Sequence, residues 1–349
     1  MQDKYNDVAS IDCLCIKISS VIPFTSSAMG LNTYSVTEKH VGKRLDIFIV
    51  HYEPHISRSR IQTMIKNGLA LVNEEKEKSG YRVKLGDKVT LHMPERVARE
   101  VLPEPIPLSV IYEDPHIIVL NKPPGLVVHP APGNYTGTLV NSLLYHYGSL
   151  PSQRSAVKGN DRERAGIVHR LDKDTSGVMV VARTYEALRS LSGQFKNRIV
   201  RKKYVALVAG IIKKGTGLID ADLGRHMKER KKISVHTRSP RAAVTSFVVK
   251  ERYKNATLVE VDIKTGRTHQ IRVHMAHIGH PVLGDHVYGG NKATKTWEGR
   301  ISRQMLHAES LSFFHPETGH PMTFSVPPPQ DMKVIIERLR SANINNKVQ

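Results

Sequence analysis

The stretch HRLDKDTSG, residues 169–177, sets one carboxylate, Asp172, between two cations, Arg170 and Lys173, and follows it with Asp174. An apolar run precedes it and VMVVA follows, so it reads as a loop at the end of a buried strand. Side chains in such loops meet a substrate while the backbone stays fixed. An acid there can be a nucleophile, a general base or half of a structural ion pair. Asp172 and Asp174 together have the composition of a glycosidase-type acid and base. Residues two apart share a face only in a regular strand, however, so Asp174 reads with Thr175 and Ser176 as turn and capping residues. Downstream, His269, His274, His277, His280 and His286 crowd together. No cysteine lies near them and no pair has the helical i, i+4 spacing, so no metal site is expected.

Composition narrows the partner. Lys and Arg number 52 against 32 acids, a formal charge of +20. An excess of that size favours a polyanion, and nucleic acid is the first candidate. The run KNRIVRKKY holds Lys196, Arg198, Arg201, Lys202 and Lys203 with no acid. RHMKERKK adds Arg225, Lys228, Arg230, Lys231 and Lys232 against Glu229. Each run alone reads as an ordinary solvated surface; against the total charge both suit the phosphates of a nucleic acid. Aromatic content of 6% argues against a long single-strand stacking platform. G-x-G-x-x-G, Walker A and H-E-x-x-H motifs are all missing from the sequence, so no cofactor is expected. The only cysteines are Cys13 and Cys15, which fits a reducing, cytoplasmic setting. No apolar run approaches the ~20 residues of a membrane span, so no membrane partner is expected.

The 349 residues leave room for two domains. Residues 1–33 read as an extension, expected to be disordered; residues 1–28 are slightly acidic, unlike the basic remainder. A chain starting at Met29 is expected to fold and act as the full one. Residues 34–102 read as a small domain. GKRLDIFIVHY and ISRSRIQTMIKNG have helical apolar spacing, with Ser57 as N-cap and Gly68 as a stop. LALVN and YRVKLGDKVTLHM read as strands. Lys43, Arg44, Arg58, Arg60 and Lys66 gather around this helix pair, which can grip phosphates without reading bases. Residues 103–110, PEPIPLSV, read as a rigid linker. Residues 111–332 form the larger domain, and residues 333–349 a C-terminal helix and polar tail. Strands outnumber helices and alternate with them irregularly. The expected class is therefore α+β, with a mixed, mostly antiparallel sheet. GRTHQIRVHMAHIGHP is ambiguous in period. Thr268 as a cap, Gly279 and Pro281 favour a helix over 269–278.

HRLDKDTSG resembles the signature of the RluA-type pseudouridine synthases, with Asp172 in the place of the family's catalytic aspartate. NKPPGLVVHPAPGNYTGTLVN, RKKYVALV, TGRTHQIRVHM and GHPVLGDHVYGG are similar to further blocks of that family, in the same order. RLDIFIVHYEPHISRSRIQTMIKNGLALVN resembles the S4 RNA-binding domain that many members carry. The blocks around His129, Gly133 and Gly290 look most like the RluD subgroup, which acts on large-subunit ribosomal RNA. The resemblance implies a cofactor-free synthase of 23S rRNA pseudouridines that flips its target base and works as a monomer. It implies Tyr204 as the active-site tyrosine and Arg272 as the partner of Asp172. Lys122, His129, His169, Arg170, Arg267 and Ile271 are expected around the substrate. A synthase acting on tRNA or on other rRNA sites is the alternative. A non-catalytic S4-type assembly factor is a third reading, and the intact set of Asp172, Tyr204 and Arg272 speaks against it. Whether Asp172 attacks C1′, adds to C6 or abstracts a sugar proton is open at this level. The chemistry detaches a uracil anion and rejoins it through carbon, which calls for an enclosed, water-poor pocket.

Overall fold

A computed structural model describes residues 30–54, 56–93, 101–131, 133–151, 165–229, 232–289 and 301–345. The chain divides into two compact units, Met1–Ala98 and Arg99–Gln349. In the small unit, strands β1 (Gly30–Ser35), β2 (Ala70–Val72), β3 (Glu75–Lys76) and β4 (Lys88–Met93) form a sheet in the order β1-β4-β2-β3. Helices α1 (Leu45–Tyr52) and α2 (Arg58–Lys66) bury Leu45, Phe48, Ile49, Ile61, Met64 and Ile65 with Val72, Val89 and Leu91. These are the residues that helical and alternating spacing point inward. Ser57 Oγ accepts the Arg60 N–H at 3.4 Å and so caps α2. The N–H groups of Gly68 and Leu69 close its other end by donating to the carbonyls of Ile65 and Met64. Residues 30–33, assigned to the extension by sequence, are instead the start of β1, which runs from Gly30 opposite Met93 to Ser35 opposite Lys88. The partner strand supplies that order, and composition carries no trace of it. The remainder of the extension and the proposed start at Met29 lie outside the described residues.

The large unit contains β5 (Val110–Glu113), β6 (Ile117–Lys122), α3 (Leu139–Tyr147), β7 (Ser176–Ala182), α4 (Tyr185–Lys196), β8 (Arg201–Ala209) and β9 (Thr216–Asp220). It continues with β10 (Gly224–Arg225), β11 (Ile233–Ser234), β12 (Val244–Arg252), β13 (Ala256–Ile263), α5 (Gln270–His277), β14 (Leu306–Phe314), β15 (Pro321–Ser325) and α6 (Gln330–Asn345). One sheet runs β5-β6-β7-β14-β8-β13-β12-β9, with β15 also paired to β14. Among the described strand pairs only β7–β14 is parallel. The class is α+β, as expected.

Period-two alternation aims the side chains of β8. Tyr204, Ala206 and Val208 join the cluster that includes Leu139 and Leu143 of α3 and Ile271 and Met275 of α5. Val205 and Leu207 face the other way, onto Met332, Ile335, Ile336 and Leu339 of α6. β7 is buried along its whole length; α4 covers Val178 and Val180 through Ala187, Leu188 and Leu191. A strand buried on both faces reads as a continuous apolar run, which is why VMVVA does not alternate. The stretch before β5 lies along α3: Asn141 Nδ2 donates to Leu102 O at 2.7 Å and Ser142 Oγ to Ile106 O at 2.5 Å. Among the described residues no helix is long and apolar enough to cross a membrane.

Candidate active site

The loop carrying Asp172 enters β7 and is held by its backbone. Three successive carbonyls are engaged. Asp172 O accepts the Thr175 N–H at 3.1 Å. Lys173 O accepts Lys122 Nζ at 2.9 Å, and Asp174 O accepts Arg303 Nη1 at 3.1 Å. Ser176 Oγ pairs with His307 Nδ1 at 2.9 Å where β7 meets β14. Gly177 has φ +124°, and a Cβ there would stand 2.1 Å from Ala308 O, so the last residue of the signature must be glycine. The opposed charges of HRLDKDTSG therefore ride on a loop that cannot drift.

Lys122 is one of those anchors. Its side chain is fully buried, and its ammonium also donates to Pro123 O and Leu126 O, each at 2.8 Å. Burial pushes it down to about 7. Expected at the substrate, it sits instead as a brace between the NKPPG loop and the Asp172 loop. His169 serves the same end. Its ring stacks on Phe195, and its Nε2 accepts the Val180 N–H at 3.1 Å. An accepting Nε2 puts the proton on Nδ1. Burial, and secondarily the nearby Lys202 charge, push the imidazole down to about 3, so the ring is neutral.

Asp172 itself lines a cavity of about 90 Å³ with Arg170, Leu171, Thr175, Tyr204, Ile263, Arg267, His269, Ile271, Arg272 and Leu306 among its walls. Arg272 Nη1 donates to Asp172 Oδ2 at 2.9 Å. The other edge of the same guanidinium grips Asp285, through Nε at 2.7 Å and Nη2 at 2.9 Å. Burial opposes the charge on Arg272, but Asp285 and then Asp172 raise it, so it stays cationic. Asp285 is fully buried, and the N–H groups of Val287 and Tyr288 also donate to it. Burial would raise its carboxyl, but Arg272 and those amides hold it below the usual carboxylate range. Gly284 precedes it because a Cβ at its φ of +73° would stand 2.0 Å from Arg303 O. Asp172 keeps 19% of its side chain exposed, and among the described residues its Oδ1 has no hydrogen-bond donor; His269 Nε2 stands 3.8 Å away. Burial, then the Asp172 charge, push the Tyr204 hydroxyl up, so it stays a proton donor.

The sequence thus names Asp172, Tyr204, Arg170, Arg267, Ile271 and Arg272 as neighbours, and the fold gathers all six on one cavity. His129 is half-buried and is not among the described lining residues. Sequence reasoning passed over Asp285, Tyr288 and Arg303. The lone acid in GHPVLGDHVYGG, a block devoid of other acids, was the signal for the first; Arg303 has none. α5 begins at Gln270, and its N-cap is His269 in the left-handed region (φ 55°) rather than Thr268. Gln270 Oε1 takes the Arg267 N–H and the Thr265 hydroxyl, which fixes the turn from within. A second groove of about 600 Å³ adjoins the cavity through Arg267 and Thr268 and carries Arg225, Arg238 and Arg241. In the small unit Arg60 and Lys66 are exposed and Lys43 is half-buried. Arg44 and Arg58 are tied to the buried Asp46, at 3.1 and 2.9 Å.

A carboxylate with one oxygen committed, an apolar wall and a protonated phenol line one cavity, and arginines stand among its walls. The profile of the family described as RNA pseudouridylate synthase matches residues 116–277, and that of the S4 domain matches residues 43–89. An uncharacterized RNA pseudouridine synthase, YlyB, of Bacillus subtilis is 45% identical over 306 residues, covering 88% of this chain and 97% of that one. The chain belongs to the RNA pseudouridylate synthase family and is an isomerase. It is also similar to ribosomal large subunit pseudouridine synthase D of Xanthomonas campestris, at 42% identity over 87% of this chain and 91% of that one. Among solved structures, human RNA pseudouridylate synthase domain containing 1 matches with a TM-score of 0.51 at 27% identity, covering 67% of this chain and 95% of that one.

Proposed function

We propose that this protein converts uridine to pseudouridine in large-subunit (23S) ribosomal RNA or its precursor, without a cofactor, as a cytoplasmic monomer. The observation that carries the reading is the half-satisfied Asp172, held through Oδ2 by Arg272 inside a small cavity. The names of relatives at about 40% identity support the ribosomal target. The reaction balances within one nucleotide: the N1–C1′ bond breaks, the C5–C1′ bond forms, and the proton on C5 passes to N1. The target base leaves the stack to reach the cavity. Asp172 is the reacting carboxylate. Tyr204 lies against the flipped ring with its hydroxyl protonated, and Ile271 walls the pocket. Arg170, exposed at the rim, fills the gap the base leaves or holds its phosphate, and Arg267 takes the adjoining phosphodiester into the second groove. Arg60, Lys66 and Lys43 of the small unit add phosphate contacts that set affinity.

Deproteinised large-subunit rRNA transcript, incubated with the purified protein and mapped for pseudouridine, tests this. Discrete modified sites are expected. Modification of tRNA alone would move the target to another RNA, and no modification of any RNA would leave a non-catalytic RNA-binding protein.

A further inference from the structure

His269 is strained and unspent. It is a non-glycine residue at φ 55°, and although it stands at the N-cap of α5, its side chain makes no capping bond. Strain of this kind persists where the surroundings enforce it, often at functional sites. Its Nδ1 lies 2.8 Å from the Tyr288 hydroxyl, and that hydroxyl also accepts the Ile233 N–H at 3.0 Å. Its Nε2 faces Asp172 Oδ1 at 3.8 Å. Two tautomers are possible. With the proton on Nδ1, the tyrosine hydrogen loses its acceptor and a bare Nε2 lone pair confronts a carboxylate oxygen. With the proton on Nε2, the tyrosine donates to Nδ1 and an N–H points at the carboxylate. The second arrangement wastes no group.

We propose that His269 is a positioning residue of the reaction: locked by Tyr288 as the Nε2–H tautomer, it donates to Asp172 Oδ1 once RNA fills the cavity, while Arg272 keeps Oδ2. The 3.8 Å separation is too long for a hydrogen bond in the free protein, and catalytic contacts of this kind close in the substrate complex. Two donors on different oxygens then fix the plane of the carboxylate against the target sugar and base. The ring meets charge from every side. Burial, then Arg272 and Arg170, disfavour its cation, against Asp172 and Asp285; the sum is downward, so the imidazole is neutral. The hairpin β10–β11, which walls the second groove through Arg225 and Ile233, holds Tyr288 through the Ile233 amide.

The inference rests on the catalytic reading of Asp172, and its test separates the two. His269→Asn tolerates positive φ and keeps an acceptor near Nδ1, but has no donor at the Nε2 position. His269→Gln keeps a donor there and loses the acceptor. Tyr288→Phe removes only the hydroxyl. In single-turnover assays at saturating enzyme on large-subunit rRNA transcript, Asn and Phe should slow the reaction roughly tenfold, the value of one charge-assisted hydrogen bond. Gln should recover most of that loss, and the dissociation constant for the RNA should not move. ¹⁵N shifts of His269 should report Nε2–H in the wild type and a mixed tautomer in Tyr288→Phe, with no RNA present. A purely structural histidine would reverse the order of Asn and Gln. That order, wild-type rates in Tyr288→Phe, or a wild-type Nδ1–H tautomer would each overturn the inference alone. An inactive wild type would overturn the catalytic reading and this inference with it.

Discussion

Two carboxylates, one in each unit, are gripped by arginine with opposite consequences. Asp46 of the small unit is fully buried and takes Arg44, Arg58 and Gln62, with contacts from 2.6 to 3.2 Å. Burial alone would raise its carboxyl, but hydrogen bonds from Arg44, Gln62 and Arg58 hold it down at about 2. Both oxygens are engaged, Oδ1 by Arg44 and Oδ2 by Arg44, Arg58 and Gln62. In the large unit the same residue types form a chain instead of a star. Asp285 saturates one edge of Arg272, and Asp172 receives a single N–H from the other. Its second oxygen has no donor among the described residues, and Asp172 lines a cavity. Burying a charge is tolerable when it is paired and hydrogen-bonded. Asp46 and Asp285 meet that condition at both oxygens; Asp172 meets it at one, and the other is the oxygen that the proposed reaction leaves open. An arginine–aspartate pair therefore says little until the number of donors per oxygen is counted.

Replacing the half-satisfied acid should show the largest effect. Asp172→Asn is expected to cut single-turnover synthesis by on the order of 10³-fold or more, as for other reacting groups, with RNA affinity nearly unchanged. Filter binding beside the rate assay checks it, and retained turnover would erase the contrast with Asp46.

Next is Asp285→Asn, which leaves the buried Arg272 cation without its bidentate partner. A loss of roughly 3–5 kcal/mol of stability, together with slowed turnover, is expected from urea melts and single-turnover rates. An intact fold with wild-type turnover would mean Arg272 is held by Asp172 alone.

Asp46→Asn should separate the units' roles. The small unit should lose about 2–3 kcal/mol, less than for Asp285 because its arginines are half exposed and water screens them. The saturating rate should survive while the dissociation constant rises. The carboxyl is depressed, so its stabilisation is complete above the ordinary value of 3.8 and fades as pH falls toward about 2. Hydrogen exchange of residues 30–93 between neutral and acid pH should show that slope in the wild type and not in the variant.

The smallest effect belongs to Arg60→Ala with Lys66→Ala, which touch neither acid. Affinity should fall and the log–log salt slope should flatten by nearly 1 per lost contact, with stability unchanged. Arg58→Ala should add a stability loss, since Arg58 also serves Asp46. An unchanged slope for the double variant would remove the phosphate role of that helix face.

How much of this was readable in advance differs by residue. Helices α1, α2 and α4 and strands β6 to β8 follow from apolar spacing and caps, because each buries a face set by its own period. Tyr204 was legible only through resemblance, since alternation alone makes it a core residue of β8. Lys122 and His169 were expected around the substrate from the family resemblance. Their partners are backbone carbonyls and an amide, and no side-chain pattern records those. The start of the small unit was placed four residues late and the cap of α5 one residue early, where a partner strand and the side chain of Gln270 decide the boundary.

By itself the sequence determined the α+β class, the S4-like and synthase blocks and the basic excess, and it singled out Asp172 as the acid expected to react, because these follow from residue type and near spacing. Only the tertiary structure decided which acids are spent. Asp285 is 113 residues from Asp172, and the guanidinium that joins them comes from a helix 100 residues beyond the loop. Whether a carboxylate is saturated depends on donors that the fold brings from far along the chain, and spacing within a motif cannot count them.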